Sequence, residues 1–415
     1  MNVAPSTVVI GGGIVGVCCA LYLQREGKNV TLVDPAAPGD STAKWSCGQM
    51  AVSEIIPLSK PGILKKVPGW MLDQNGPLAL RPAAVPRLLP WMFRFMANAS
   101  RSRIEMIARE LSTLTSKVYL DYQPLFDKCD DKDLIGSRPT LEVFDRRSGL
   151  EGEQAYIALR QELGFKVESL GAREIGDLEP ALAGKFSHGL LLSDWRTVRD
   201  TEGFIAELTK SFISQGGVRV QDAVQSIQTG QGKATGITLD SGRSIPVEQL
   251  VVAAGNESKK FFGTLGVKVP LMGIGGYQVL VRNGGVDMKH ATVYADGGFG
   301  LVPMTRGLQI GGTIEFAGDN ASPNYDRARI ILEKAKRIIP SLDTSDVEFG
   351  IGWRPFLPDT KPVIDKSPKL SNVAMTFGHG QLGLTLGATT GRLIADLVQG
   401  RKSAEDITPF RASRF

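Results

Sequence analysis

The hydrophobic residues of this chain follow two periodicities in turn, and together they predict a mixed α/β protein. A run of β-branched residues at 7–10 predicts a strand, apolar residues from Ile14 to about Glu26 predict a helix, and 29–33 predicts a second strand. A strand, a helix and a further strand in this order form a βαβ unit, in which the two strands lie in one parallel sheet. The N-terminus therefore predicts a three-layer, mostly parallel sheet of the Rossmann type.

Downstream patterns add helices and a sheet of another kind. After an irregular, proline-rich stretch at 57–90, two sets of apolar residues recur at helical spacing. The first set is Leu88, Met92, Phe95 and Ala99, and the second is Ile104, Ile107, Leu111, Leu114 and Val118. Further helices are predicted at 153–163, 201–215, 327–339 and 382–399, and strands at 218–227, 234–239, 249–253 and 373–377. Between 276 and 316, short apolar runs separated by glycines predict an antiparallel sheet.

The length of 415 residues exceeds what one ordinary hydrophobic core supports, so two domains are predicted. The first combines 1–55, 197–256 and 345–415 around the parallel sheet. The second combines 56–196 and 257–344, contains the antiparallel sheet with helices, and includes a basic, proline-rich insert at about 57–110. With 42% hydrophobic and 22% charged residues the composition is that of a globular protein, and no apolar run reaches the length of a membrane span.

Positive charge is concentrated in the insert. The chain has a net charge of +5, too small to indicate nucleic-acid binding. The segment from Glu54 to Glu110 contains nine basic and four acidic residues, so its own net charge is +5. It also carries large apolar residues: Ile63, Leu64, Trp70, Met71, Leu72, Trp91, Met92 and Phe93. This mixture suits a membrane surface or electron-acceptor contact, a subunit interface, or packing on the rest of the protein.

The cysteines and the N-terminal apolar run bear on location. Cys18, Cys19, Cys47 and Cys129 form no C-x-x-C pair, so reduced thiols in a cytoplasmic protein are expected. The run at 8–23 lacks a basic leader and contains several glycines, which excludes a signal peptide. We therefore expect a cytoplasmic protein, either free or peripheral on the inner face of the membrane.

The first glycine turn carries a dinucleotide-binding pattern. Gly11-x-Gly13-x-x-Gly16 follows a strand and opens a helix, so its backbone N–H groups and the positive end of the helix dipole can meet a pyrophosphate. Asp34 ends the second strand, where a carboxylate accepts hydrogen bonds from ribose hydroxyls. This motif alone does not separate FAD from NAD.

A second glycine turn near the C-terminus favours a flavin. Strand 373–377 runs into Gly378-His379-Gly380-Gln381-Leu382-Gly383 and then into the last predicted helix. The N-terminus of that helix can face a group that becomes negative on reduction, such as the N1/O2 edge of a flavin. A flavin enclosed by segments far apart in sequence needs such a second turn, whereas NAD binding does not.

Several motifs in order resemble one family. They are Gly11–Gly16 with Asp34, the segment 251–255, the segment 311–315, Trp353-Arg354-Pro355 with Asp359, and 378–385. Over essentially the whole chain this set resembles the D-amino-acid oxidase (DAO) superfamily of FAD-dependent oxidoreductases. The stretches Arg354–Asp359 and 378–385 most resemble the D-amino-acid dehydrogenase branch.

The resemblance implies that FAD is bound between the two glycine turns. The reaction it implies is oxidative deamination of a small D-amino acid, such as D-alanine, D-proline or hydroxy-D-proline. Hydride then passes from Cα to the flavin N5, and the electrons pass on to a quinone or a partner acceptor. The implied FAD-binding residues are Gly11, Gly13, Ile14, Val15, Gly16, Asp34, Ser46, Cys47, Gly48, Gln49, Val224, Ala254, Gly255, Gly378, His379, Gly380, Gln381, Leu382, Gly383, Leu384 and Thr385.

The sequence departs from the branch at two places. Asp34 stands where Glu is usual, and the shorter carboxylate can still reach ribose. Ser46-Cys47-Gly48 replaces the common Asn-Ala-Gly, so the branch's flavin contacts and substrate range are not carried over to this loop. Family members that bind flavin through cysteine do so late in the chain, and no cysteine follows Cys129. FAD is therefore expected to be non-covalent.

Three residues are candidates for the chemistry. Arg354 is assigned to the substrate carboxylate, because a guanidinium binds a carboxylate through two hydrogen bonds; the alternative is a surface ion pair. Tyr277 is a candidate second contact, or else a packed strand residue. His379 is either a general base or, better, a residue at the flavin edge, because a neutral amine needs no base. No metal site is indicated.

Two other functions stay open at this stage. One is an oxidase acting on glycine, sarcosine or another N-substituted glycine with oxygen as acceptor. The other is a flavin-binding subunit of a larger complex that has no turnover of its own.

Overall fold

The predicted βαβ unit opens the fold. The computed structural model describes residues 6–61, 76, 78–81, 84–129, 135–318 and 321–415. β1 (Ser6–Ile10) leads into α1 (Ile14–Arg25) and β2 (Val30–Val33), and the two strands pair in parallel. Every residue of β2 is buried, as expected for a parallel strand covered on both faces.

The other elements of the described residues follow in chain order. The strands are β3 (Gln49–Met50), β4 (Leu78–Leu80), β5 (Ile135–Gly136), β6 (Thr140–Phe144), β7 (Val167–Gly171), β8 (His188–Leu192), β9 (Arg196–Val198), β10 (Val218–Val220), β11 (Val224–Gly230), β12 (Lys233–Leu239), β13 (Ser244–Val252), β14 (Met272–Val281), β15 (Thr292–Tyr294), β16 (Phe299–Met304), β17 (Gly307–Phe316), β18 (Val347–Phe356), β19 (Val363–Lys366) and β20 (Val373–Phe377). The helices are α2 (Val85–Ala97), α3 (Arg101–Thr115), α4 (Val118–Phe126), α5 (Arg147–Glu162), α6 (Ala172–Leu178), α7 (Thr201–Ser214), α8 (Phe262–Leu265), α9 (Asp326–Ile338) and α10 (Gly383–Gln399).

The first sheet has the strand order β10-β2-β1-β13-β12-β11, and β20 joins it beside β13. β10, β2, β1, β13 and β20 are mutually parallel, while β11, β12 and β19 add antiparallel pairs. This confirms the mostly parallel sheet predicted from the N-terminal pattern. Because β1 and β20 run in the same direction, the turns that follow them lie at the same edge of the sheet.

The second sheet has the order β18-β14-β17-β16-β15-β6-β8-β7. Its pairs are antiparallel except for β15 with β6, and β4 adds a parallel pair on β17. The expected antiparallel sheet between 276 and 316 is therefore confirmed. A small third sheet, β3-β9-β5, ties the loop after residue 45 to the segment before α7. The predicted domain boundaries stay a prediction.

Close packing of α1 against α10 brings the two glycine turns together. A β-carbon on Gly391 would lie 2.7 Å from the backbone of Cys18, and one on Gly387 would lie 2.7 Å from the hydroxyl of Tyr122. Glycine at 391 lets α1 and α10 approach backbone to backbone, and glycine at 387 leaves room for the side chain of Tyr122 from α4. Since each helix begins directly after its glycine turn, this contact fixes the separation of the two turns.

Two predictions about elements were wrong. The predicted strand 218–227 is two strands, because β10 pairs with β2 whereas β11 pairs with β12, and the chain must cross between these partners. The irregular stretch predicted for 57–90 ends early, because α2 begins at Val85 and contains Pro90. Pro86 lies in the first turn of α2, where a missing N–H costs nothing. The predictions that fall on 62–75, 77 and 82–83 lie outside the described residues.

The predicted helix faces are largely confirmed. α3 buries Ile104, Ile107, Leu111 and Leu114, as its spacing predicted. α2 buries Leu88, Trp91 and Phe95, so the buried face includes Trp91 in place of Met92, and Ala99 lies beyond the helix. Among the helices described, none combines the length and hydrophobicity that crossing a bilayer requires.

Candidate active site

A large cavity lies where the two glycine turns meet the end of β18. Its volume is about 950 Å³, which is at the upper end of the range for cofactor sites. It is lined by residues from the first turn, from the loop 40–46, from the end of β13, from 352–355 and from the second turn. The predicted cofactor residues that line it are Gly11, Gly13, Ile14, Val15, Asp34, Ser46, Val224, Ala254, Gly255, His379, Gly380, Gln381, Gly383 and Leu384.

The remaining predicted cofactor residues belong to the same turns and loop but do not line the cavity. They are Gly16, Cys47, Gly48, Gln49, Gly378, Leu382 and Thr385. Several of them hold the turns in place instead. The hydroxyl of Thr385 accepts a hydrogen bond from the N–H of Ala51 at 3.0 Å, which connects the second turn to the loop after β3.

The first turn has the geometry that a pyrophosphate requires. Gly11 has φ +108°, and a β-carbon there would lie 2.5 Å from the carbonyl oxygen of Ala253. A β-carbon on Gly16 would overlap the carbonyl oxygen of Gly11, so helix and strand pack without side chains between them. Gly13 is the N-cap of α1, and no side chain caps this helix end. The free N–H groups therefore face the cavity with the positive end of the helix dipole.

Asp34 is fixed by the backbone at the end of β2. Its Oδ2 accepts from the N–H of Gly12 at 2.6 Å and its Oδ1 from the N–H of Ala36 at 2.8 Å. A carboxylate oxygen offers more than one lone pair, so each oxygen can still accept from a hydroxyl in the cavity. Asp34 is thus available to accept from a ligand hydroxyl in the cavity.

The second turn is held against the strand that carries Arg354. The N–H of Gly380 donates to the carbonyl oxygen of Pro355 at 2.8 Å. Gly378 has φ +80°, a conformation that a side chain would disfavour. α10 then begins at Gly383 without a side-chain cap, so a second uncapped helix end faces the same cavity. Two uncapped helix ends and a carboxylate around one cavity fit FAD.

His379 is neutral in this environment. It is 4% exposed, and its Nε2 forms a hydrogen bond of 3.0 Å with the hydroxyl of Thr390. Burial lowers the pKa of His379 to about 3. The side chain therefore carries no charge near neutral pH, and it is a weak base compared with an ordinary imidazole.

The loop that departs from the family pattern contacts the second sheet. The thiol of Cys47 donates to the side-chain oxygen of Gln278 at 3.5 Å, and the N–H of Val198 donates to the carbonyl oxygen of Gly48 at 2.7 Å. Burial raises the pKa of the Cys47 thiol to about 11, although the positive charge of Arg354 acts in the opposite direction. Cys47 is therefore a protonated thiol at neutral pH.

Arg354 presents an unpaired guanidinium to the cavity. The residue pairs with Ile274 across β18 and β14, and a β-carbon on Gly276 would lie 2.6 Å from its Cζ. Burial lowers the pKa of the guanidinium, which nevertheless stays charged. Among the residues that the structure describes, no carboxylate lies within ion-pair distance of Arg354. A half-buried cation without a counter-ion in the described part of the chain favours binding of an anion.

The structure does not bring Tyr277 to Arg354, so the expectation that Tyr277 is a second substrate contact beside Arg354 is wrong. Gly276 and Gly352 pair on the face of the sheet that Arg354 occupies, and Tyr277 points to the other face. There its hydroxyl donates to Glu315 at 2.6 Å and accepts from the N–H of Asn324 at 2.7 Å. Burial raises the pKa of Tyr277 to about 12. Tyr294, a second tyrosine of this sheet, donates to Asp145.

Two polar residues on the Arg354 face were missed by the sequence analysis. Gln278 and Gln309 are buried there, and the side-chain nitrogen of Gln309 donates to the oxygen of Gln278 at 3.3 Å. A signal was present in the sequence, because each glutamine is flanked by apolar residues of its strand, Val279 after Gln278 and Leu308 and Ile310 around Gln309.

Comparison with known proteins agrees with this geometry. The DAO family, described as FAD dependent oxidoreductase, matches residues 6–397. The chain is 30% identical over 414 residues to a D-amino-acid oxidase of Bradyrhizobium diazoefficiens, covering 98% of both chains. It is 29% identical to a D-amino acid dehydrogenase of Vibrio vulnificus, covering 95% of this chain and 96% of the relative. The fold matches the crystal structure of glycine oxidase from Geobacillus kaustophilus with a TM-score of 0.74 at 19% identity, covering 99% and 98% of the two chains.

Proposed function

Because the chain belongs to the DAO family of FAD-dependent oxidoreductases, we propose that it dehydrogenates a small D-amino acid at Cα. Loss of a hydride from Cα and a proton from nitrogen gives an imine, which water hydrolyses to a keto acid and ammonia. A substrate of the D-proline type gives a cyclic imine instead. Names of relatives at about 30% identity support the D-amino-acid class.

The observation that carries this proposal is the unpaired guanidinium of Arg354 beside the cavity. A carboxylate is the ligand that matches a guanidinium in charge and geometry. Gly276 leaves the space in which the guanidinium lies flat against β14. A substrate anchored by its carboxylate at this point has its Cα held in one position at the wall of the cavity, and such positioning is a large part of catalysis.

The protonation states of the residues around the cavity determine whether the protein supplies a base for the substrate amine. His379 is neutral and engaged with Thr390, and Cys47 is a protonated thiol, so neither supplies a strong base. The substrate amine therefore reacts as the neutral form after it has lost its proton to solvent. Bound FAD supplies the hydride acceptor.

FAD itself is assigned to both glycine turns. We assign the pyrophosphate to the backbone of Gly11–Gly16, the ribose to Asp34, and the flavin edge to the turn 378–385. We assign Ser46, which lines the cavity, and Gln49 in β3 after it to the flavin side, and Ala254 and Gly255, which follow β13, complete the wall. With its thiol protonated and bonded to Gln278, Cys47 supports non-covalent binding.

Anaerobic flavin reduction tests the proposed reaction. Purified yellow protein is mixed without oxygen with D-alanine, D-proline, hydroxy-D-proline, glycine and sarcosine, and the flavin absorbance is followed. Bleaching by a D-amino acid is expected. Bleaching only by glycine or sarcosine, with turnover on oxygen, would instead support an amine oxidase. A yellow protein that no amine bleaches would support a flavin-binding subunit without turnover.

For the electron acceptor we propose a quinone reached at an anionic membrane surface through α2. One face of α2 exposes the apolar residues Pro86, Leu89, Pro90, Phe93 and Ala97. Leu89 is 43% and Phe93 64% exposed, and together they form an apolar patch on one helix face, as interaction surfaces do. Arg87 and Arg94 flank this face, so basic and apolar groups are combined as at a membrane surface. Docking of a partner protein on the same face is the alternative.

A further inference from the structure

We propose that Gln278 is a specificity-determining residue that donates a hydrogen bond to an oxygen on the substrate side chain. The site would then favour D-amino acids with a hydroxyl on Cβ or Cγ over their apolar counterparts. This inference rests on the proposed function, since it takes the substrate carboxylate to be bound by Arg354.

Gln278 lies on the same face of the second sheet as Arg354. In the pairing of β14 with β18, Ile274 is opposite Arg354 and Gln278 is opposite Gly350, an even number of residues further along. Side chains two and four residues apart in a strand point to one face. The guanidinium of Arg354 extends over Gly276, so it reaches toward Gln278 along that face.

The side-chain nitrogen of Gln278 has no partner among the residues that the structure describes. The residue is fully buried, with 0% exposure. Its oxygen is already used, because it accepts from the thiol of Cys47 and from the side-chain nitrogen of Gln309. These two donors fix the orientation of the amide, which leaves the NH2 group as the free end. A buried donor without an acceptor is costly, and a ligand oxygen would satisfy it.

Glycines on the neighbouring strands leave the sheet without side chains beside this amide. A β-carbon on Gly311, which pairs with Gln278, would overlap the amide group, so the side chain lies across β17. Gly300 pairs with Gly311 on the next strand, and the nearest atoms to a β-carbon there would be 3.5 Å away or more. In the proposal, the substrate side chain lies on this side-chain-free strip, next to the NH2 group.

The distance between the guanidinium of Arg354 and the amide of Gln278 suits contact of the amide with the substrate side chain and not with the substrate carboxylate. Strands lie about 4.8 Å apart and alternate residues about 6.6 Å apart, so Gly276 and Gly311 are separated diagonally by roughly 8 Å. With the carboxylate of an amino acid at the guanidinium over Gly276, the amide over Gly311 lies near its Cβ and Cγ substituents. Sites that hydrogen-bond a substrate hydroxyl discriminate strongly against analogues that lack it.

The test uses paired substrates that differ by one hydroxyl. We would measure kcat/KM for D-serine against D-alanine, and for 4-hydroxy-D-proline against D-proline, in the wild-type enzyme and in Gln278→Met. In at least one pair the wild type should favour the hydroxylated member. Gln278→Met should lower this preference by about 10- to 100-fold, with most of the loss on the hydroxylated substrate. The flavin content and the melting temperature would be recorded for each protein.

Gln228→Met is the matched control, because it makes the same exchange at an exposed position of β11 and should leave both ratios unchanged. An equal loss for both members of a pair would overturn the inference. If Gln278→Met does not fold, the wild type alone decides, since a preference for the apolar member of both pairs also overturns it. Absence of any flavin bleaching by D-amino acids would instead overturn the proposed function.

Discussion

The guanidinium of Arg354 lies over Gly276 of β14. Gly276 pairs with Gly352, which precedes Arg354 by two residues on the adjacent strand β18. Any side chain at Gly276 would push the guanidinium away, because a β-carbon would lie 2.6 Å from Cζ. Gly276→Ala is therefore expected to raise KM for a D-amino acid on the order of 10- to 100-fold, the cost of a misplaced charge-assisted hydrogen bond. Arg354→Ala should raise KM at least as much while FAD stays bound.

Gly275→Ala provides the control for this effect. Gly275 lies next to Gly276 but faces the other side of the sheet, where a β-carbon would be 3.2 Å from the side chain of Ile351. Its cost should appear as a lower melting temperature with KM nearly unchanged. Equal increases of KM in Gly275→Ala and Gly276→Ala would show that the strand, and not the position of Arg354, is responsible.

A second prediction separates two glycines of the first turn. A β-carbon on Gly13 would meet only the side chain of Ser41, at 3.9 Å, whereas one on Gly16 would overlap the carbonyl oxygen of Gly11. Gly13→Ala should therefore fold normally but bind FAD about tenfold or more weakly, because the methyl group occupies the approach of the pyrophosphate. Gly16→Ala should lower the melting temperature of the protein even without FAD.

Flavin content after gel filtration and the melting temperature of the apoprotein distinguish these outcomes. The FAD-free forms of the wild type and Gly13→Ala should melt within a degree or two of each other. A Gly13→Ala protein that retains FAD as tightly as the wild type would remove this turn from the pyrophosphate role.

A third prediction follows from the buried His379. Its folded pKa of about 3 lies below the ordinary value of 6.5, so the unfolded state binds more protons between these two values. The stability that depends on a neutral His379 is complete above pH 6.5 and is lost as the pH falls toward 3. At pH 5 this loss amounts to about 2 kcal/mol.

His379→Gln removes this proton linkage while it keeps a polar group near Thr390. Between pH 7 and pH 5 the variant should lose less stability in urea unfolding than the wild type does. If both proteins lose the same amount, the imidazole is not held in its neutral form by burial.

The sequence patterns predicted the two glycine turns better than they predicted which face of the sheet a side chain occupies. Gly11–Gly16 and the turn 378–385 could be predicted because a strand, a glycine turn and a helix are contiguous in sequence. The face of Tyr277 could not, because it depends on pairing with β17 and β18, which lie far along the chain. The pairing of β14 with β17 also shifts register between Tyr277 and Gln278. Simple alternation of side chains along a strand does not predict such a shift.

The same reason explains the split of 218–227. Val218, Val220 and Val224 are separated by even numbers of positions and Ile227 follows, so the segment was predicted as one strand. Yet Val220 pairs with Val33 of β2, while Val224 pairs with Leu239 of β12. Which neighbour a strand finds is decided by distant segments, and local periodicity carries no information about it.

The last prediction concerns α2 as a membrane-contact surface. The exposed side chains of Leu89 and Phe93 would insert among lipid tails, while Arg87 and Arg94 would lie at anionic headgroups. Co-sedimentation with vesicles containing anionic lipid should exceed that with neutral vesicles and fall with added salt. The double variant Leu89→Ser with Phe93→Ser should reduce binding at least tenfold, since each buried apolar side chain is worth about 1.5–3 kcal/mol.

Exchange of the similarly exposed Ile213 on α7 for Ser should leave binding unchanged. Equal sedimentation of the double variant and the wild type would exclude α2 as the contact and leave a partner protein as the occupant of this face.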